Sequence, residues 1–90
     1  MRIISGRLRG KKITAPDSLP VRPTTDFAKT GLFNILSNHL SFSTIAALDL
    51  YCGTGNISYE LISRGAKSVT AVDSDKRCVA FVKKTFNDIH

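Results

Sequence analysis

The sequence predicts an α/β domain in which a basic hairpin and a helix precede a parallel βαβα unit. Three features predict it. Two apolar runs, 45–48 and 69–72, lack the alternation of a half-exposed strand and read as strands covered on both faces. A glycine turn, Gly53-Thr54-Gly55, closes the first run, and apolar residues recur at helical spacing after each run.

The elements follow in order. Arg2 to Ser5 and Lys11 to Ala15 read as two short strands joined across Gly6 to Gly10. Pro16, Pro20 and Pro23 mark an extended connection, with Arg22 held extended by the proline after it. Thr24-Thr25-Asp26 supplies acceptors for the first amides of a helix. Ala28, Leu32, Ile35, Leu36 and Leu40 predict its buried face, which Gly31 interrupts. A short helix with Ile57, Leu61 and Ile62 inward ends at Arg64-Gly65, glycine being a common helix exit. After Asp73-Ser74-Asp75, a last helix buries Cys78, Val79, Phe81, Val82, Phe86 and Ile89 and exposes Lys83, Lys84, Asn87 and Asp88.

Charge is unevenly placed. Residues 1–22 carry Arg2, Arg7, Arg9, Lys11, Lys12 and Arg22 against Asp17, a local +5, whereas the other residues add +1 to the total of +6. Such a cationic arm suits a polyanion, since each neutralised phosphate releases counterions. A charged, solvated hairpin is the plainer explanation. The candidate RNA-binding residues are Arg2, Arg7, Arg9, Lys11 and Lys12. Ninety residues make one small domain. No apolar run approaches the ~20 residues that span a bilayer, and Met1 to Gly6 lacks the core of a secretory signal, so a cytoplasmic location is expected. Cys52 and Cys78 belong to no metal-ligand cluster, and no metal is expected. Cys52, in a turn before a helix, has a chance of a lowered thiol pKa, though a small residue beside a ligand is the simpler reading. His39 and His90 read as solvated histidines near helix ends.

The chemistry is expected at the carboxyl ends of the two strands, where open α/β sheets bind ligands. Gly53 and Gly55 allow close backbone approach, and Asp73, eighteen residues after Gly55, is placed to accept from ribose hydroxyls. Those features fit a nicotinamide or flavin dinucleotide almost as well as S-adenosylmethionine (SAM). Asp49 discriminates. A carboxylate four residues before Gly53 repels a pyrophosphate but welcomes an ammonium and a sulfonium, and Ser58 replaces the third glycine of the dinucleotide pattern. Asp49 satisfying turn amides, and Asp73 capping a helix, are the plainer alternatives, although Asp75 is available for that cap.

Met1-Arg2-Ile3-Ile4-Ser5-Gly6 with Arg9-Gly10, Arg22-Pro23-Thr24-Thr25-Asp26, Leu32 to Leu36, Asp49-Leu50 to Gly53-Thr54-Gly55, and Ser63-Arg64-Gly65-Ala66 together resemble the bacterial small-subunit ribosomal RNA guanine-N2 methyltransferases. The resemblance spans essentially the whole chain. It implies the N-terminal half of a Rossmann-like class I methyltransferase fold, with residues 1–22 as basic hairpin arm and linker and 23–90 as the first half of the SAM-binding domain. It also implies SAM as cofactor, 16S ribosomal RNA or the small subunit as partner, and methylation of the exocyclic N2 amine of a guanine. Asp49, Gly53 and Gly55 would line the methionine part, Asp73 the ribose, and Arg22-Pro23-Thr24 the edge of the site. The full candidate cofactor set is Arg22, Thr24, Asp49, Tyr51, Gly53, Gly55, Asp73 and Ser74. Asp73 stands where the family often has glutamate, Ser58 where it has glycine, and Phe27 where a polar or aliphatic residue is usual. The family's Asn/Asp-Pro-Pro-Tyr/Phe segment, which holds the target amine, follows its fourth strand, so no catalytic residue is assigned and residues 1–90 alone are not expected to complete the transfer. A noncatalytic SAM- or RNA-binding module and an NAD(P)-dependent enzyme are the other readings. The free edge of the first strand predicts self-association.

Overall fold

The computed structural model describes residues 1–22 and 24–89; Pro23, of the predicted cofactor edge, and His90 lie outside the described residues. Helix α1 (Asp26–Ser37) is followed by a 3-10 turn (Phe42–Thr44), strand β1 (Ala46–Leu50), α2 (Asn56–Ser63), β2 (Ser68–Val72) and α3 (Lys76–Ile89). The strands pair in parallel from Ala46 opposite Ser68 to Leu50 opposite Val72. This is the small α/β arrangement the sequence predicts, with α2 as the crossover between parallel neighbours.

The predicted caps form. Thr25 Oγ1 accepts from the Ala28 amide at 3.1 Å, which opens α1. Asp75 Oδ1 accepts from the amides of Arg77 (2.8 Å) and Cys78 (3.2 Å), which opens α3. Helix α2 stops at Arg64, and Gly65 follows with a positive φ, as read from the Arg64-Gly65 pair.

Three expectations about burial need correction. First, the strands are covered on one face only: burial alternates along both, and Leu48 and Leu50 are 62% and 59% exposed. Helices α2 and α3 share a core of Tyr59, Val82 and Ile89, against which Ala71 of β2 packs, while no described element covers Leu48, Leu50 and Val72. Second, α1 buries Lys29 and Phe33, whereas Ala28, Leu32, Ile35 and Leu40 are exposed. The helix is rotated because Lys29 is drawn into an ion pair, described below, and the apolar stripe is left outward. Third, Val79 of α3 is exposed, while Cys78, Val82 and Ile89 are buried as expected.

The hairpin differs too. Its limbs meet at one antiparallel bridge, Arg2 with Lys12, rather than as two strands. What fixes it is attachment to α2. Ser63 Oγ donates to Ser5 O (2.6 Å) and accepts from the Leu8 amide (3.0 Å), and Ser63 O accepts from the Arg7 amide (2.9 Å). Gly6 sits in this contact at φ +89°, where a β-carbon would stand 2.0 Å from Ser63 O, so no other residue fits without moving the backbone. The inward side chains Ile3 and Ile13 join the same core as Tyr59.

At the centre lies a buried ion pair. Lys29 Nζ and Glu60 Oε1 are 3.1 Å apart, and both side chains are fully buried. Lys29 donates its other two protons to Arg2 O (2.6 Å) and Asn56 Oδ1 (2.8 Å). Glu60 also accepts from the amides of Ile4 (2.9 Å) and Ser5 (3.1 Å) and from Arg64 Nε (2.8 Å). An ammonium has three donors and a carboxylate about four acceptor sites, so every one is used. Arg64 in turn lies 4.7 Å over the Phe33 ring.

Complete satisfaction is what makes such burial tolerable, because desolvation alone opposes it. Burial would raise the Glu60 pKa, but the Ile4 amide, Arg64 and Lys29 outweigh it and hold the carboxyl below its ordinary 4.5. A carboxyl with a depressed native pKa gives stability that is whole above its unfolded value and lost as pH falls through the native one. Urea midpoints should therefore decline below about pH 4.5. Glu60→Gln strands the Lys29 ammonium and should cost about 3–5 kcal/mol, and the double variant Lys29→Met/Glu60→Gln should recover part of it. Equal midpoints for wild type and Glu60→Gln would contradict the pair's role.

The bare sheet face and open β1 edge carry a second expectation. Light scattering of the chain should show mass above the monomer as concentration rises, and Leu48→Lys with Leu50→Glu should reduce it. A monomer at all concentrations would count against it.

Candidate functional site

The site is built where β1 and β2 end. Asp49 is the fourth residue of β1, and Asp73 directly follows β2. Between them the chain reverses through Tyr51 to Gly55, with the Cys52 amide donating to Val72 O (2.9 Å) and the Gly55 amide to Cys52 O (2.8 Å). Asp73 Oδ2 accepts from the Gly53 amide (2.9 Å), and Oδ1 from the Asp75 amide (2.9 Å). Asp73 thus fastens the glycine turn to the end of β2, and the α3 cap falls to Asp75, as the sequence allowed. Asp49 Oδ2 accepts from Ser58 Oγ at 2.7 Å. The residue in place of a third glycine orients the first carboxylate.

Backbone shape follows from the turn. Gly55, which precedes α2, has φ +84°, and a β-carbon there would stand 2.6 Å from the Tyr59 ring. Glycine is required by conformation and by space. Tyr51 adopts φ +57° without being glycine, and its side chain is 86% exposed. A left-handed non-glycine residue costs on the order of 1 kcal/mol and is common where a chain is shaped for a ligand. Ser74 is exposed beside Asp73.

The connecting segment closes on the same region. Val21 Cγ2 lies 3.4 Å from where a Gly53 β-carbon would be, which brings exposed Arg22 beside the turn. Asn56 Nδ2 donates to Thr24 O (2.6 Å), which fixes Thr24 at the start of α2. Arg77 Nη1 reaches Ser18 O (3.3 Å). Asp49, Tyr51, Gly53, Gly55, Asp73 and Ser74 therefore stand around one strand-end region, Thr24 is tied to it through Asn56, and Arg22 follows Val21, which borders the turn. A cavity of about 570 Å³ lies instead against the linker, and of the eight candidate cofactor residues only Arg22 borders it. Neither Asp49 nor Asp73 lines it.

The electrostatics of the region are negative. Among the described residues, neither Asp49 nor Asp73 has an ion-pair partner. Their effect is felt at Cys52, whose thiol is pushed up to about 11 by burial first and then by Asp49 and Asp73. The lowered thiol pKa considered from sequence is thus corrected: two carboxylates outweigh any helix-terminus effect, and Cys52 stays a neutral thiol. Arg2, Arg7, Arg9, Lys11 and Lys12 are all exposed, as expected of polyanion contacts, and Arg7 also reaches Ile89 O (3.5 Å).

The sequence reading missed Lys29, Asn56 and Glu60, which hold the site's supports. Glu60 and Arg64 at helical spacing were a visible signal; Lys29 offered none, since a lysine in an amphipathic helix ordinarily faces water.

The profile of a family described as Conserved hypothetical protein 95 matches residues 1–90. The chain belongs to that family. Its resemblance to small-subunit ribosomal RNA methyltransferases is borne out by its relatives. It is 37% identical over 89 residues to Ribosomal RNA small subunit methyltransferase D of Haemophilus influenzae, covering 99% of this chain and 45% of that protein. It is 38% identical over 76 residues to the protein of that name from Escherichia coli K12, covering 84% and 37%. A solved Escherichia coli structure described as a methyltransferase superposes with a TM-score of 0.84 at 34% identity, covering 99% of this chain and 47% of that one. This Conserved hypothetical protein 95 chain spans about half the length of the relatives it matches, and its fold is the N-terminal part of theirs.

The negative field is testable without a ligand. Alkylation of Cys52 by iodoacetamide at neutral pH should be slow, with the rate still rising toward a pKa of about 11. Asp73→Asn removes one of the raising charges and should move that profile to lower pH, whereas an unchanged profile would mean the carboxylate is not felt there.

Proposed function

We propose that this chain is the cofactor-holding part of a SAM-dependent RNA methyltransferase acting on the exocyclic N2 amine of a guanine in 16S ribosomal RNA. One observation carries the cofactor assignment: two carboxylates without ion-pair partners among the described residues flank a glycine turn, and the Cys52 thiol beside them is raised by burial first and then by both. A cationic donor gains from that field, and a pyrophosphate loses.

The residues divide the work by chemistry. Asp49, oriented by Ser58, has an oxygen free for the ammonium of the donor's methionine part. Asp73 uses one lone pair of each oxygen on backbone amides, and the remaining ones suit the two ribose hydroxyls. Gly53 and Gly55 keep side chains out of the approach, Tyr51 and Ser74 border it, and Arg22 and Thr24 form its edge. When bound, SAM supplies an electrophilic methyl group. The rest of the task is positioning, since nucleophile and methyl carbon must be held in near-attack geometry. The guanine must leave its stack to reach it. By the family resemblance an Asn/Asp-Pro-Pro-Tyr/Phe segment holds the amine, and residues 1–90 contain no such segment.

The RNA assignment rests on the exposed basic hairpin and on the names of the relatives. Arg2, Arg7, Arg9, Lys11 and Lys12 are assigned to RNA contact, and Arg22 with the residues from 24 onward to the cofactor part. Among the described residues, no helix is long and apolar enough to cross a membrane.

Calorimetric titration tests the cofactor reading. SAM should bind and NAD should not, and Asp49→Asn or Asp73→Asn should weaken SAM by roughly tenfold, the loss of one charge-assisted contact. Binding of NAD with indifference to Asp49 would favour a dinucleotide enzyme instead.

A further inference from the structure

Along the second limb of the hairpin, Lys11 and Lys12 of the N-terminal charge run meet a lysine from α3 that lies outside that run. A groove of about 250 Å³ runs between the second limb of the hairpin and the C-terminal half of α3. Lys11 and Lys12 border it from the hairpin, Lys84 and Asp88 from α3, and Ile13 and Phe81 supply its apolar surface. None of the three lysines has an ion-pair partner among the described residues. Like charges gathered around one concavity repel each other, and an anion between them relieves that repulsion.

The composition narrows the anion. Three ammonium groups suit phosphate oxygens, while half-buried Phe81 offers a surface on which a base can rest. Asp88 is out of place in a site for a bare polyanion but can accept from a base amine. At about 250 Å³ the groove falls below the ~300 Å³ at which pockets that enclose a whole small ligand begin, so it suits one unit of a strand that continues outside it. We propose that this groove holds one nucleotide of single-stranded RNA, its phosphate on Lys11, Lys12 and Lys84 and its base against Phe81. The inference rests on the RNA reading above and extends it to α3.

Lys83 and Lys84 provide the test. They are adjacent and both exposed, yet Lys83 borders a different groove, with Cys52, Ala71 and Phe86. Binding of the chain to a fluorescein-labelled single-stranded RNA of mixed sequence is measured by anisotropy across a salt series. Lys84→Gln should weaken binding roughly three- to tenfold and lower the slope of log affinity against log salt by about 0.7. Lys83→Gln, with the same change of net charge, should leave both close to wild type. Phe81→Leu, which keeps an apolar side chain in the core, should weaken RNA but leave heparin binding unchanged. Equal effects of Lys83→Gln and Lys84→Gln would overturn the groove while leaving RNA binding intact. Competition by poly-glutamate as strong as by unlabelled RNA would overturn it in favour of an acidic protein partner. Failure of wild type to bind RNA at all would overturn the RNA reading and this inference with it.

Discussion

Everything in this small domain is tied to the Lys29–Glu60 pair. Glu60 sits in α2, Lys29 in α1, and their remaining partners are hairpin backbone, Asn56 and Arg64. Three chain segments distant in sequence thus converge on one carboxylate. These ninety residues have little apolar surface to bury, and their hydrophobic cluster is correspondingly short: Ile3, Ile13, Tyr59, Val82 and Ile89. A saturated polar network supplies the specificity that such a core lacks, because any other packing would leave a buried charge unpaired.

That network is also what places the site. Asn56, held by Lys29, grips Thr24, and Asn56 is the first residue of α2 after the glycine turn. The turn is fastened at its other side by Asp73 to the end of β2. The two carboxylates are therefore set by two different means. Asp49 takes its position from strand register and Ser58, and Asp73 from the amides it accepts. Both accept hydrogen bonds from neutral donors, and among the described residues neither has an ion-pair partner. Carboxylates without ion-pair partners beside a left-handed Tyr51 are the features on which the proposed binding role rests.

Much of this was legible in the chain. Strands, crossover, glycine exits and the Thr25 and Asp75 caps follow from local chemistry, which sequence records directly. So did the gathering of Asp49, Gly53, Gly55 and Asp73, because strand ends in a parallel sheet bring them to one edge. Burial was read less well, for a physical reason. Periodicity in α1 pointed to Leu32 and Ile35, but a charge pair formed across 31 residues of sequence turned the helix toward Lys29. Apolar strands likewise pointed to two covered faces, but Leu48 and Leu50 lie on the face that α2 and α3 leave bare. Pairings between distant segments leave no local trace.

The most direct measurement is a titration of isotope-labelled chain with SAM followed by amide resonances. The account predicts that the largest shifts fall on Gly53, Ser74 and Asp75, the amides at and beside the Asp73 carboxylate, with smaller ones near Asp49. Shifts confined to the linker cavity around Leu19, or the strand-end shifts produced equally by NAD, would contradict it.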